Sequence, residues 1–306
     1  MKLHHLETLL ALVEAGSVRG AARQLGLSQP SVTSRISDFE SEVGAVLVNR
    51  TVRGTTLTHA GRAALRHARL IQGQVRRAQQ ELAEVARGGV KSIAIGASAI
   101  AVLEVVAAAF SELQARDPSA YVKIYDGQFH ETSVRLREGE LDMVIAPIPI
   151  GKKVDKTLQI EELVEYPVQV VARPGHPRAR CEHLADLVSA SWVSGFATSS
   201  NRSALDELFH EHGLPKPQVT ATVDSLVPVQ AIVATSDALG LLPVPLLQGV
   251  VGTLVPLPLK DRIRPLRLAL ITLAGAPLSP IAAELADLVR GRAKLAARRQ
   301  AVTRRR

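Results

Sequence analysis

The stretch "AARQLGLSQPSVTSRI", residues 21–36, decides how this chain of 306 residues is read. Two helices joined by a tight turn need small residues where they touch, a turn residue free of side-chain constraint, and a capped start for the second helix. Ala21 and Ala22, then Gly26, then Ser28 meet those needs in order. Pro30 falls in the first turn of the second helix, where a missing N–H costs nothing. Val32 and Ile36 are expected in the core, which leaves Gln29, Thr33 and Ser34 facing outward. A helix presented this way can lie in the DNA major groove with its first turns against base edges. Glutamine can pair two-pronged with adenine, and Thr or Ser can bond either kind of base edge or touch a thymine methyl. Arg35 and the free amides at the helix start are placed for phosphates.

Working outward, Leu3, Leu6, Leu9, Leu10 and Val13 follow the apolar spacing of one helix face, ended by Gly16. Ser17 caps a helix over 18–25, and the helix after Ser28 is expected to run to about Val43. "VLVNRTVRGTTLT" is rich in Val and Thr around an Arg-Gly and predicts a short two-stranded hairpin. Thr58 caps a long helix. Along it Leu57, Ala60, Ala64, Ala68, Ile71, Val75, Ala78, Leu82 and Val85 stand three or four apart. That seam is about 44 Å long at 1.5 Å per residue, and its small residues suit close approach of a second identical helix. The opposite face carries Arg62, Arg66, Arg69, Arg76 and Arg77, and "RGG" at 87–89 ends the helix.

Beyond Gly89 strands and helices alternate. "KSIAIGA", "AYVKIYD", "LDMVIAP", "YPVQVVARPG", "SWVSG", "PQVTATV" and "PLRLALITL" read as strands, with helices over 99–116, 130–138, 201–212, 225–236 and 278–296. Buried apolar strands alternating with helices imply a mostly parallel sheet covered on both faces. Two such runs, meeting near 162–168 and rejoining near 264–268, predict two α/β lobes with a cleft between them.

Composition bounds the function. With 46% hydrophobic and 22% charged residues the chain reads as a folded soluble protein. The formal charge of +8 is unevenly spread: residues 1–90 carry +5, residues 91–289 carry −5, and residues 290–306 carry +8. A basic front and an acidic middle point to two domains with different partners. The start carries Glu7 and Glu14 within its apolar stretch, unlike a secretory signal. The longest apolar stretch, 96–110, is interrupted by Glu104 and is shorter than the roughly 18 residues of a membrane span. Cys181 is the only cysteine, so no intrachain disulfide can form; Arg178 and Arg180 flanking it invite a redox-sensor reading, but a disulfide switch within one chain needs a second thiol, and there is none. A cytoplasmic location away from membranes is expected. "HEH" at 210–212 puts its histidines on different sides of a helix, so no metal site is expected.

The first sixty residues together resemble the LysR-type transcriptional regulators. Gly16-Ser17, Ala21-Ala22, Ser28-Gln29-Pro30, Glu40, Gly44, Arg50 and Leu57-Thr58-x-x-Gly61 follow that family's order. Phe39 stands where a Leu is usual, and Val48 where a Phe is usual; both exchanges keep an apolar packing residue. The resemblance implies the fold class α + α/β: an N-terminal winged helix-turn-helix over 1–58, a linker and dimerisation helix over 59–89, and an effector-binding domain over 90–300, followed by a basic tail, 301–306. The last domain is expected to be two-lobed and to resemble type 2 periplasmic-binding proteins, with one lobe at about 90–163 and 267–300 and the other at about 164–266. The implied partner is double-stranded DNA, with Gln29, Pro30, Thr33 and Ser34 in the major groove, Arg53 on the wing reaching the minor groove, and Arg50 supporting the wing or a phosphate. The resemblance further implies a dimer through the linker helix, two of which can pair into a tetramer that bends DNA.

"GELDMVIAP" and "DALGLLPVPLL" extend the resemblance into the second domain, where family members hold a small molecule between the lobes. General physics favours the same place, since ligands bind beyond the carboxyl ends of parallel strands, where helix N-termini offer free amides. Ser98, Gln128, and Pro147 with Ile148 follow three of the strands. Thr198, Ser199, Ser200 and Asn201 follow a fourth. These groups would converge on an anionic or polyhydroxylated effector, or would serve only as helix caps. Ser98 is followed by Ala99-Ile100-Ala101, a less polar floor than relatives often carry. Two other functions compete: an enzyme built on the α/β domain, and a plain solute-binding protein with a helical interaction module. The sequence lacks G-x-S-x-G, G-x-x-x-x-G-K-[ST] and G-x-G-x-x-G, so neither catalysis nor a cofactor is expected. A solute-binding protein would need an export signal and would leave residues 1–58 unexplained.

Overall fold

The computed structural model describes residues 1–51, 54–86, 91–148, 155–195, 204–223, 226–247 and 254–303. Packing divides the chain into two units, Met1–Val90 with Val134–Leu141, and Lys91–Ser133 with Asp142–Arg306. The first opens with three helices, α1 (Leu3–Ala15), α2 (Val18–Leu25) and α3 (Gln29–Val43). A hairpin of β1 (Val48–Thr51) and β2 (Gly54–Leu57) follows, and then α4 (His59–Ala86). Gly16, Gly26 and Gly44 end the three short helices in the left-handed conformation, which a side chain would strain. Leu9, Leu12, Ala21, Val32, Ile36 and Phe39 are buried in the core between them.

The long seam on α4 divides into two parts. Ala60, Ala64, Leu65, Ala68 and Ile71 pack into the core of the helical domain itself, with Ala68 fully buried. Among the described seam positions Ala78 and Leu82 turn to solvent, and Leu82 is 69% exposed. The uniform seam expected from spacing is therefore a domain-packing stripe followed by an unpartnered one. Periodicity reports that a face is apolar, not what covers it.

After α4 come β3 (Ser92–Ala97), α5 (Ala99–Ala101), a π turn (Val102–Val106), α6 (Ala107–Arg116), β4 (Tyr121–Asp126), α7 (Phe129–Arg137, counted with the first unit from Val134 on), β5 (Met143–Pro147) and β6 (Leu158–Tyr166). The chain continues through β7 (Val168–Ala172), β8 (Ser191–Gly195), α8 (Ala204–Glu211), β9 (Gln218–Val223), α9 (Leu226–Thr235) and β10 (Gly240–Pro243). It ends with β11 (Val255–Pro256), β12 (Leu266–Leu273) and α10 (Pro280–Thr303). The first lobe is a five-stranded sheet in the order β4-β3-β5-β12-β6. Strands β4, β3 and β5 run parallel, while β12 pairs antiparallel with both β5 and β6. The chain crosses from β6 through Pro167 into β7 of the second lobe. There β10-β7-β11 and β8-β9 are joined by a Trp192–Leu239 bridge. Each lobe has its own core, one around Ile93, Ile95, Met143, Ile145 and Leu285, the other around Trp192, Phe209 and Leu184.

The sheets are mixed rather than mostly parallel, because β12 returns against the parallel run. Strands β6, β10 and β11 are absent from the strands read in the sequence: Glu161, Glu162 and Glu165 interrupt the apolar pattern of β6, as an edge strand tolerates, and β10 and β11 are only four and two residues long. The helix expected over 99–116 is present but passes through a π turn at 102–106, and α10 extends beyond 296 to Thr303.

In the helical domain His5 is buried, stacked on Phe39 with ring centroids 5.5 Å apart. Burial lowers its pKa from the ordinary 6.5, and the neighbouring His4 and Lys2 push the same way while Asp38 opposes them. The unfolded chain therefore binds this proton more readily than the folded one, so stability is retained above about pH 6.5 and lost as the pH falls below it. Urea unfolding of the full chain between pH 7.5 and 5.5, values chosen to bracket that titration at about one unit either side, should show falling stability. His5→Gln should flatten the profile; an identical slope in the variant would exclude His5 as the source.

Candidate nucleic-acid interface and ligand site

The outer helix of the α2–α3 pair is held at its start by its own side chains. The Gly26 N–H closes α2 on the carbonyls of Ala22 and Arg23, and Leu27 N–H donates to Ala22 O at 2.9 Å. Ser28 then caps α3, its Oγ accepting from Ser31 N–H at 3.2 Å. Ala21 and Ala22, both buried, let α2 approach the core closely. Gln29, Pro30 and Ser34 are exposed along the outer face of α3. Ser34 Oγ donates to Asp38 Oδ2 at 3.4 Å, a long bond that leaves the hydroxyl accessible. Thr33 and Arg35 are half-buried. Thr33 was expected to face outward but lines a small crevice with Leu12, Val18 and Thr55, because α3 turns this flank toward the hairpin. Two further cations, Arg19 and Arg23, are exposed on α2. They are the residues the sequence reading passed over; the basic balance of the first ninety residues was their only signal.

The hairpin is tied to α3 by one carboxylate. Glu40 Oε1 accepts from the backbone N–H groups of Leu47 and Val48, at 2.7 and 3.0 Å. Thr58 Oγ1 donates to Val46 O at 2.7 Å and accepts from Gly61 N–H at 2.9 Å, so a single hydroxyl caps α4 and pins the turn before β1. Gly61 is there because a Cβ would stand 2.0 Å from Leu47 O. Glu40, Thr58 and Gly61 thus position the hairpin rather than contact a ligand. In the hairpin Arg50 pairs with Thr55 through the backbone, and Thr55 N–H reaches Gly16 O at 3.5 Å. Arg53 lies outside the described residues.

In the second unit the parallel strands β4, β3 and β5 end side by side, and Gln128, Ser98 and Pro147 with Ile148 follow at that edge of the sheet. Ser98 is fully buried; its Oγ accepts from Ala101 N–H at 3.4 Å and its own N–H donates to Ile145 O at 3.1 Å. Its hydroxyl therefore acts as a helix cap. Gln128 is half-buried, its carbonyl accepting from Thr132 Oγ1 at 2.7 Å. Pro147 and Ile148 are half-buried, and Ile148 N–H donates to Arg267 O at 3.0 Å. Four expected residues thus share one edge. Thr198, Ser199, Ser200 and Asn201 lie outside the described residues, as does the end of the tail, 304–306.

A capped outer helix beside a hairpin, followed by a long helix and a two-lobed α/β domain, defines a DNA reader built in one chain with a ligand-responsive domain. Comparison with known proteins agrees. Residues 3–62 match the bacterial regulatory helix-turn-helix proteins of the lysR family, and residues 86–294 match the LysR substrate binding domain. The HTH-type transcriptional regulator GbpR of Azospirillum brasilense is 30% identical over 242 residues, 78% of this chain and 70% of that protein. The HTH-type transcriptional regulator TdcA of Escherichia coli is 26% identical over 79% of this chain and 77% of its own length. Among solved structures, CbnR, a LysR family transcriptional regulator, aligns with a TM-score of 0.60 at 20% identity, covering 96% of this chain and 99% of that one. Full-length CbnR complexed with its target DNA aligns with a TM-score of 0.52 at 21% identity, over 96% and 100% of the two chains. The chain belongs to the LysR family: it is a DNA-binding transcriptional regulator with a C-terminal effector-binding domain. No helix among the described residues is long and apolar enough to cross a membrane.

Removing the Glu40 carboxylate leaves two partly buried N–H groups without a protein partner. Glu40→Ala should cost about 1–3 kcal/mol and loosen the hairpin. Denaturant unfolding measures the loss, and amide exchange at Leu47 and Val48 localises it. Unchanged protection at both amides would refute the role given to this carboxylate.

Proposed function

We propose that α3 reads DNA through Gln29, Pro30 and Ser34 in the major groove, with the Thr33 hydroxyl at the flank. Ser28 and Arg35 join the amides at the helix start against phosphates, and Arg50 and Arg53 act from the hairpin, Arg53 toward the minor groove. The observation that carries this reading is the exposure of Gln29, Pro30 and Ser34 on a helix whose other face is locked into the core by Val32, Ile36 and Phe39. A side chain on such a rigid support keeps its geometry when it meets a base, so little ordering cost offsets the contact. Arg19 and Arg23 on α2 add phosphate contacts, since the first helix of such a pair crosses the DNA backbone.

Two copies pair through the later part of α4, around the exposed Ala78 and Leu82, setting two α3 helices on half-sites roughly 34 Å apart or a multiple of it. The second domains then join dimers into a tetramer. Exposed apolar residues on the edge strand β4, Tyr121 and Ile124, with Leu103 in the π turn and Val227 on α9, support that association. The protein acts in the cytoplasm. Its effector is a small anionic or polyhydroxylated molecule held at the strand edge formed by Ser98, Gln128, Pro147 and Ile148, and completed by Thr198, Ser199, Ser200 and Asn201. Ligand binding that favours one arrangement of the lobes shifts the assembly and the DNA bend with it.

Binding to the chain's own upstream DNA tests the reading. Gln29→Ala should cost about 1–3 kcal/mol at one base pair in each half-site and lower discrimination at that pair. Uniform loss on every sequence would move Gln29 to the backbone. Arg23→Ala should instead weaken all sequences alike and reduce the salt slope by about one unit. A preserved slope would remove Arg23 from the phosphates. Leu82→Glu should shift the hydrodynamic mass toward smaller species; an unchanged assembly would exclude the linker helix as its contact.

A further inference from the structure

Residues 290–306 carry a charge of +8 with no acidic residue, while residues 91–289 carry −5. Most of that basic stretch is the end of α10, whose underside is fixed in the first lobe by the buried Ala293 and Ala296. The cations divide by what they meet. Arg290 Nε donates to Glu161 Oε1 at 3.0 Å and its second amine to Asp287 Oδ1 at 2.7 Å, and Arg292 donates to Glu112 Oε2 at 2.9 Å. These two arginines hold the helix to its lobe. Arg299 is an electrostatic neighbour of the buried Tyr166. Lys294 and Arg298 are exposed, and neither meets a carboxylate among the described residues. Beyond the helix the sequence continues with Arg304, Arg305 and Arg306, which lie outside the described residues.

Two ordinary roles for helix cations do not account for Lys294 and Arg298. Cations offset the partial negative charge at a helix C-terminus, but that effect is confined to the last turn, and the last turn of α10 contains no basic residue. Exposed helix charges also pair with an opposite charge four residues away. Here Lys294 has Arg298 at that place, like beside like, and Arg290 four residues before it. Such a row loosens a helix slightly unless an anion lies against it.

We infer that the outer face of α10, Lys294 and Arg298 with Arg304, Arg305 and Arg306 beyond them, is a second nucleic-acid contact. It grips the phosphate backbone of double-stranded DNA without regard to sequence. Charge and chemistry select that partner. All of these cations but Lys294 are arginines, whose forked guanidinium meets two phosphate oxygens at once. Lys294 and Arg298 stand about 6 Å apart along the helix, close to two intervals of charge on one DNA strand at about 3.4 Å each. The face therefore suits a polyanion with regularly spaced charges rather than a single small anion. A lipid surface would need an apolar stripe beside the cations. Leu295 is the large apolar residue exposed on this face, and residues 290–306 contain no aromatic residue. The chain binds DNA through its N-terminal domain, so a second contact on the same molecule forms at high effective concentration and adds affinity even where it is weak alone. The inference rests on DNA binding by the chain, not on which α3 residues read the bases.

Affinity of the full chain for its own upstream DNA and for random duplex, measured from about 50 to 200 mM salt, tests this. The double variant Lys294→Gln with Arg298→Gln keeps helix-forming side chains and removes two charges. Its slope of log affinity against log salt should be shallower by about two, and its affinity at physiological salt about ten-fold lower. The preference for upstream over random DNA should not change. Lys156→Gln, which removes an exposed cation of the same unit away from α10, should leave the slope as it was. A photo-crosslinker at the exposed Ala297 of the otherwise native chain should attach to labelled upstream DNA, which reads the contact without altering a cation. An unchanged slope in the double variant, an equal loss in Lys156→Gln, or no crosslink would overturn the contact. A lost preference for upstream DNA would overturn its indifference to sequence. Binding to phosphatidylglycerol vesicles that the double variant abolishes, with the DNA slope intact, would assign the face to a membrane instead. Failure of Gln29→Ala to alter base discrimination would revise the reading of α3 and leave this one standing.

Discussion

The attachment of the Glu40 carboxylate to two backbone N–H groups at the start of the hairpin is the interaction on which the N-terminal architecture depends. Its geometry is set from both sides. Gly44 ends α3 in the left-handed conformation, so the chain turns back across the helix within reach of Glu40. Thr58 and Gly61 then seat the next helix on the carbonyls of the same turn. One acceptor satisfying two donors is stronger than a pair of neutral bonds, because the charge is shared across both contacts. Helix α3 and the hairpin beside it are therefore one rigid element. A ligand meeting both faces is met by a surface already in place.

The effector-binding domain is organised by a different constraint. Parallel strands must end at the same edge, and the turns that leave them bring Ser98, Gln128 and Pro147 into adjacency from positions up to about fifty residues apart in sequence. The Ser98 hydroxyl is occupied by its own helix, and the residues after it, Ala99, Ile100 and Ala101, are apolar, with Ile100 and Ala101 fully buried. Among the described residues, polarity at this edge comes from the backbone and from Gln128 more than from hydroxyls.

Much of the helical pair was legible because its signals are local. Gly26 and Ser28 state where one helix stops and the next begins within three residues, and the spacing of Val32, Ile36 and Phe39 states which face is buried. Thr33 was misjudged because its burial depends on the hairpin folding back beside α3, a contact between segments twenty residues apart. The α4 seam misled in the same way: Ala60, Ala64 and Ala68 carry the spacing of a helix pair, but α1 of the same chain covers them. Strand β6 escaped because an edge position lets three glutamates stand where a central strand would carry apolar residues.

By itself the sequence determined the helices of the N-terminal domain with their caps, the parallel strands β3, β4 and β5, and the family to which the chain belongs, since turn chemistry and apolar period act over a few residues. Only the tertiary structure decided which apolar faces remain open, how β12 returns against the parallel strands, and which buried polar groups are left without partners. Those outcomes rest on contacts between distant segments, where the same residue is core or surface according to what packs against it.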